Sequence, residues 1–229
     1  RCMKLKKIAL FDLCETLVDF QTGDGFIYYV IDRLGICNNI KIQTLNRVAS
    51  SLSIFKIEQI INKIRLGESL RKRILLYMLK NIERDILNVM ARDYVNEIIL
   101  RRINPAIIKI LNKHLKDGDE VIIISGGYDI YIQYLVKALE INSFVCTKIK
   151  FDNRGRCLGR ISGKNCMGYN KVLMLKGVLS LDVSEYHITT YSDSISDLPI
   201  LKMSNVGVVV SKGQAREWVR QHKLFEILI

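Results

Sequence analysis

The apolar positions along this chain change their rhythm twice. Near the N-terminus, Ile8-Ala9-Leu10-Phe11 is an unbroken apolar run that stops at Asp12, which reads as a buried strand. From about 20 to 102 the apolar residues recur at helical spacing, as at Ile57, Ile60, Ile61 and Ile64 and again at Ile82, Ile86, Leu87 and Met90. That spacing predicts several helices with no strand among them, broken at Gly35 and Gly67. At Asn104-Pro105 the rhythm shifts again. Asn suits the N-cap and Pro the first helical position, so a helix is predicted there, with Ile107, Ile108, Leu111 and Leu115 on one face and Gly118 ending it.

Beyond that helix the pattern alternates. Val121 to Ile124 predicts a buried strand, and Ser125-Gly126-Gly127 is expected to open a helix running through Leu139. Phe144-Val145-Cys146 reads as a strand, and 148–161 as a hairpin turning at Asn153-Arg154-Gly155. Strands around His187–Tyr191 and Val206–Val210 flank a helix that begins near Asp197. Alternating strands and helices predict a parallel sheet covered on both faces. The fold class is therefore α/β, a doubly wound Rossmann-like parallel-sheet core with an inserted all-helical cap. The core spans 1–19 and 103–229, and the cap spans 20–102. Ligands of such sheets bind beyond the carboxyl ends of the strands, and Asp12, Ser125 and Asp193 each fall at such an end.

Composition changes this picture little. With 229 residues, 49% hydrophobic and 25% charged, the chain can bury a sizeable core. The longest fully apolar run is far too short to cross a bilayer, and the N-terminal one meets acidic Asp12, unlike a signal peptide. Six cysteines with no CxxC pair suit reduced thiols in a cytoplasmic protein better than a disulfide framework or a zinc site. The net charge of +12 raises the question of nucleic acid, but residues 20–102 hold 14 basic and 8 acidic residues and so carry only half of it. The charge is diffuse. Its one tight cluster, Arg71-Lys72-Arg73, reads as a solvated helix face, so neither nucleic acid nor membrane is an expected partner. The three histidines, 114, 187 and 222, stand alone.

Four short signals carry the chemistry. They are Phe11-Asp12-Leu13-Cys14-Glu15-Thr16-Leu17, Ile124-Ser125-Gly126-Gly127, Gly168-Tyr169-Asn170-Lys171 and Tyr191-Ser192-Asp193-Ser194-Ile195-Ser196-Asp197-Leu198-Pro199. Taken singly, each has a bland reading: Asp12 a turn residue, Ser125, Asp193 and Asp197 helix caps, Lys171 a surface lysine. In this order and at strand ends, the set resembles the haloacid dehalogenase superfamily, in the branch similar to phosphoserine phosphatases.

The resemblance implies a Mg²⁺-dependent phosphatase or phosphotransferase for a small phosphorylated substrate, acting through an aspartyl-phosphate on Asp12. A carboxylate that attacks phosphorus splits one hard hydrolysis into two easier steps, and positive charge must offset its repulsion from the phosphate. By the resemblance, the Asp12 and Asp193 side chains and the Cys14 carbonyl bind the metal. Lys171 acts as a point charge, and Asp197 binds a metal water or orients that lysine. Ser125 and Gly126 hold the phosphate; at a helix N-terminus they would form a natural anion site.

One position departs from the family. Its phosphatases carry a second aspartate two residues after the nucleophile, which protonates the leaving oxygen and then activates water; here that residue is Cys14. A thiol with an ordinary pKa of about 8.5 is a poor substitute. Glu15 is expected to point away, as neighbours in an extended segment do. Three readings stay open: a phosphatase or phosphotransferase for good leaving groups, a metal-independent dehalogenase-type hydrolase, and a weakly active or regulatory phosphate-binding protein. Gln21 stands where a phosphoserine phosphatase is expected to hold its substrate's ammonium with a glutamate, so phosphoserine is not the expected substrate. Asp24 and Arg71 are further candidate substrate readers. The resemblance also implies that the cap closes over the core as a lid.

Overall fold

The computed structural model describes residues 5–35, 70–179 and 182–229. The periodicity read at Ile57, Ile60, Ile61 and Ile64, the break at Gly67, and Cys2 and Cys37 lie outside them. The first strand, β1 (Lys6–Phe11), alternates its buried side chains between two cores: Ala9 and Phe11 enter one, Ile8 and Leu10 the other. Burial on both faces is why its apolar run is continuous rather than alternating.

A seven-stranded sheet forms around β1. The other strands are β2 (Glu120–Tyr128), β3 (Ser143–Phe151), β4 (Cys157–Ser162), β5 (Tyr186–Ser192), β6 (Val206–Ser211) and β7 (Phe225–Leu228), in the order β4-β3-β2-β1-β5-β6-β7. All neighbours pair in parallel except the β3–β4 hairpin. Its turn is tied by Asp152, whose Oδ1 accepts from the Arg154 and Arg156 amides at 2.9 and 2.8 Å. The chain leaves β1 toward β2 and β3 on one side and returns through β5, β6 and β7 on the other. Residues just past β1 therefore stand at the topological switch point, where open α/β sheets bind ligands.

Helices α1 (Thr22–Arg33), α2 (Leu70–Tyr77) and α3 (Arg84–Tyr94) come from the inserted segment, and α3 continues through a π turn at Val95–Ile99 and a 3₁₀ turn at Leu100–Arg102. The described part of that segment is helical, as its periodicity predicts. Its entry and exit lie side by side: Val18 bridges Ile103, and the Asn104 amide donates to the Leu17 carbonyl at 2.8 Å. Asn104 then caps α4 (Pro105–Lys116), accepting from the Ala106 amide at 2.9 Å, and Gly118 ends the turn with φ +76°. Among the described residues the other α-helices are α5 (Asp129–Ala138), α6 (Tyr169–Lys176), α7 (Leu198–Met203) and α8 (Glu217–Gln221). Buried residues of α4 and α5 pack with Ala9 and Phe11, and those of α6 and α7 with Ile8 and Leu10, so helices cover both faces.

Three expectations need correction. Ser125-Gly126-Gly127 does not open a helix: β2 runs on to Tyr128 and α5 starts at Asp129. The buried Tyr128 ring anchors that extension, and the register with β3 jumps from Ser125 to Tyr128 across the two glycines. The strand read at Phe144–Cys146 and the first arm of the hairpin read over 148–161 are one strand, β3, and the short strand β7 escapes the pattern. Finally, Arg71 and Lys72 do not belong to a solvated face; only Arg73 is exposed, while its neighbours line the cleft described below. Among the described residues no helix is long and apolar enough to cross a membrane.

Candidate active site

The carboxyl ends of β1, β2 and β5 meet in a cleft of about 340 Å³ lined by Asp12, Ser125, Asp193, Asp197 and Lys171. Arg71 and Lys72 of α2 and Gln21, Gly23 and Asp24 at the start of α1 line the same cleft. The size suits a small molecule. Strand pairing places the first residues: the Asp12 amide donates to the Tyr191 carbonyl at 2.9 Å, so the end of β1 is locked to β5 next to Asp193.

Lys171 enters from the first turn of α6 and is almost wholly buried. Its Nζ lies 2.7 Å from Asp12 Oδ1 and 2.6 Å from Asp197 Oδ2. Asp197 Oδ2 also accepts from the Ser192 hydroxyl at 2.6 Å. Burial alone would lower the lysine, but the charges of Asp12 and Asp197 overcome it and hold the ammonium well above its ordinary range. Burial pushes the Asp12 carboxyl up to about 7 against the pull of Lys171, with Asp197 and Asp193 adding to the rise. Burial also raises Asp193, while its bond from Thr16 and the nearby Arg216 pull it back. Asp12 and Asp197 thus share one buried ammonium, with the Asp193 carboxylate lining the same cleft.

After Asp12 the chain turns tightly rather than staying extended, since the Leu17 and Val18 amides both donate to the Leu13 carbonyl at 3.0 Å. Glu15 has φ +57° and pairs with Lys212, so it does point away, but the turn and not strand alternation is the reason. Thr16 ties the turn to β5: its Oγ1 accepts from the Asp193 amide at 2.9 Å and donates to Asp193 Oδ1 at 3.3 Å. Sequence reasoning assigned Thr16 and Ser192 no role, although both lie inside the quoted signals.

Cys14 faces the cleft, and its sulfur accepts from the Thr22 amide at 3.3 Å and lies 3.2 Å from the Thr22 hydroxyl. Burial, reinforced by the Asp12 charge, pushes the thiol up to about 11. At neutral pH the thiolate is then about 100-fold scarcer than for an unperturbed cysteine. Iodoacetamide at pH 7.5 is accordingly expected to label Cys14 about 100-fold more slowly than a free thiol, read by mass spectrometry of the native protein. Labelling at the free-thiol rate would show that the sulfur is not held neutral.

Ser125 is 1% exposed, and its Oγ accepts from the Gly127 amide at 3.0 Å. It lies inside an interrupted strand and not at a helix N-terminus, so what it can offer a ligand is its hydroxyl proton. For a metal, the described residues hold no group of three His, Cys, Asp or Glu side chains placed to cage an ion. Two carboxylates, Asp12 and Asp193, line the same cleft, a donor set that fits a Mg²⁺ ion, which takes one or two carboxylates and keeps several waters.

A carboxylate beyond the central strand, gripped by a buried lysine that a second carboxylate orients, defines a hydrolase-type α/β site. The model of the haloacid dehalogenase-like hydrolases matches residues 9–202, and the chain belongs to that family. A histidinol-phosphatase of Neisseria meningitidis serogroup C (strain 8013) is 23% identical over 228 residues, covering 98% of this chain and 99% of that protein. Among solved structures, a protein of unknown function from Bordetella pertussis Tohama I superposes with a TM-score of 0.78 at 18% identity, covering 98% of this chain and 99% of that one. A probable phosphoserine phosphatase from Vibrio cholerae in unliganded form gives 0.62 at 15% identity, covering 97% of this chain and 60% of that one.

Proposed function

We propose that this protein is a Mg²⁺-dependent phosphatase or phosphotransferase that acts on a small phosphorylated metabolite through an aspartyl-phosphate on Asp12. The observation that carries the reading is the buried Lys171 ammonium bridging Asp12 and Asp197 beneath a cleft that also presents Ser125 and Asp193. The histidinol-phosphatase relative favours a small phosphate ester as substrate.

In this reading an Asp12 oxygen attacks phosphorus, the phosphorus–oxygen bond to the leaving group breaks, and water or another acceptor later takes the phosphoryl group and restores the carboxylate. Lys171 fixes Asp12 and neutralises charge on the phosphate, Asp197 holds Lys171 in place, and the Ser125 hydroxyl donates to a phosphate oxygen. Asp12, Asp193 and the Cys14 carbonyl would hold Mg²⁺, whose charge offsets the repulsion between carboxylate and phosphate. Cys14, held neutral, gives the leaving oxygen no carboxylic proton, so solvent must supply it. Gln21, Asp24 and Arg71 line the outer cleft, where Arg71 and Asp24 pair at 2.9 Å, and would meet the rest of the substrate. The cap is assigned to 20–102 and the core to 1–19 and 103–229, in a cytoplasmic protein.

Cys14 also favours a second reading, a phosphate-binding protein that turns over weakly. A panel of phosphorylated metabolites assayed with Mg²⁺ and with EDTA separates the readings. Phosphate release that falls about 100-fold or more in EDTA and returns with Mg²⁺ is expected, since a bound metal contributes several kcal/mol. Release that ignores EDTA, or halide release from haloacids, would overturn the proposal. Tight phosphate binding without turnover of any member would favour the second reading.

A further inference from the structure

Lys72 is a charged residue of the cleft to which the mechanism above gives no task. It sits in the first turns of α2, and its Nζ lies 2.7 Å from the Gly126 carbonyl oxygen, 2.6 Å from Asn165 Oδ1 and 5.1 Å from the centroid of the Tyr128 ring. The Gly126 carbonyl belongs to the same peptide group as the Gly127 amide, and that amide donates to Ser125 Oγ at 3.0 Å. A peptide group is a rigid plane with its C=O and N–H directed oppositely. An ammonium that grips one end therefore aims the other.

We propose that Lys72 is a positioning residue that holds the Gly126–Gly127 peptide plane, so that the Ser125 hydroxyl keeps its proton for an oxyanion in the cleft. This rests on the phosphoryl reading of the site. A serine oxygen that accepts from the Gly127 amide has one lone pair committed, and its single O–H remains to donate elsewhere. The backbone here needs such a hold. The register between β2 and β3 passes from Ser125 to Tyr128, so neither glycine has a partner on that ladder, and glycine pairs are the most mobile backbone available. A larger residue is no remedy: a Cβ at Gly126 would meet Met167 Cγ at 2.9 Å, and one at Gly127 would meet the Tyr131 hydroxyl at 2.2 Å.

Lys72 is itself well anchored. Asn165 is buried, and its Oδ1 also accepts from the Thr147 hydroxyl at 2.9 Å. The segment after α2 is stapled to the β3–β4 hairpin. The Asn81 amide donates to the Cys157 carbonyl at 2.8 Å, the Cys157 amide to the Ile82 carbonyl at 2.9 Å, and the Arg84 amide to the Gly155 carbonyl at 2.8 Å. These bonds fasten the chain that follows α2 to the core sheet.

The test is a double-mutant cycle read by calorimetric binding of inorganic phosphate in the presence of Mg²⁺, with thermal unfolding as a control. Ser125→Ala and Lys72→Met are each expected to weaken phosphate binding about tenfold, the effect of one hydrogen bond. The double variant should bind no more weakly than Ser125→Ala alone, because Lys72 acts through that hydroxyl. Lys72→Arg, which keeps donors at this position, should restore binding to within about threefold of wild type. Losses that multiply in the double variant would mean that Lys72 meets the anion itself. Unchanged phosphate affinity with a lowered melting point would make Lys72 a mere staple. Either result overturns the inference while leaving the phosphoryl reading intact, whereas wild-type protein that binds no phosphate overturns both. If Lys72→Met does not fold, Lys72→Ala, which removes the donor and suits a helix, takes its place in the cycle under the same criteria.

Discussion

Asp12→Asn should abolish turnover, lowering it by about 10⁴-fold or more, because loss of a covalent nucleophile removes the whole two-step route. Acid-quenched wild-type protein should carry covalent phosphate during turnover and the variant none. The fold should survive. The substituted side-chain amide would still offer Lys171 an acceptor oxygen, and one of three crowded carboxylates would be gone. The sign of the pH effect follows from the raised Asp12 pKa. Its stabilising, protonated form is fully present below about pH 4 and is lost as pH rises through about 7. Metal-free wild-type protein should therefore lose stability to urea between about pH 5 and about pH 8 relative to Asp12→Asn, and Mg²⁺ should narrow that gap. Full activity in Asp12→Asn would refute the nucleophile outright.

Cys14→Asp should raise turnover of alkyl phosphates by about 100-fold while leaving an aryl phosphate within about threefold, since general acid help is worth about 10²–10⁴-fold only where the leaving oxygen is strongly basic. A phenolate, with a conjugate-acid pKa of about 10, departs without it. The surroundings of Cys14 suit the change. The Thr22 amide and hydroxyl that contact its sulfur could serve a carboxylate instead, and the burial that pushes the thiol up would keep an acid protonated near neutral pH. Thr22 is held in turn by Tyr131 at 2.7 Å and by the Tyr94 hydroxyl on its carbonyl at 2.9 Å, so these donors do not drift. An unchanged alkyl-to-aryl ratio would show that the thiol position is not limiting, with the nucleophile assignment untouched.

Much of the site was legible because its residues sit where apolar runs stop. Asp12 follows a strand end buried on both faces and apolar without a break, Asp193 follows the strand β5, and the switch point brings the two to one cleft. Lys171 and Asp197 were legible through the resemblance, but neither the 2.7 Å contact of Lys171 with Asp12, nor its 2.6 Å contact with Asp197, nor their burial follows from spacing. Ser125 shows where local reading fails. Ser-Gly-Gly after an apolar run has the chemistry of a helix start, yet the buried Tyr128 ring and pairing with β3 carry the strand three residues further.

The sequence by itself determined the alternation of strands and helices up to β6 and the helical character of the described inserted segment, because these depend on period and on local capping. Only the tertiary structure decided how the residues of the site are used. Arg71 and Lys72 look like any charged helix turn, and Cys14 like any thiol. One lysine pairs with backbone 54 positions away and the thiol is enclosed beside Thr22, because folding brings α1, α2 and the β2 glycines to the same cleft. Charge and burial at a point are sums over such neighbours, and no window along the chain contains them all.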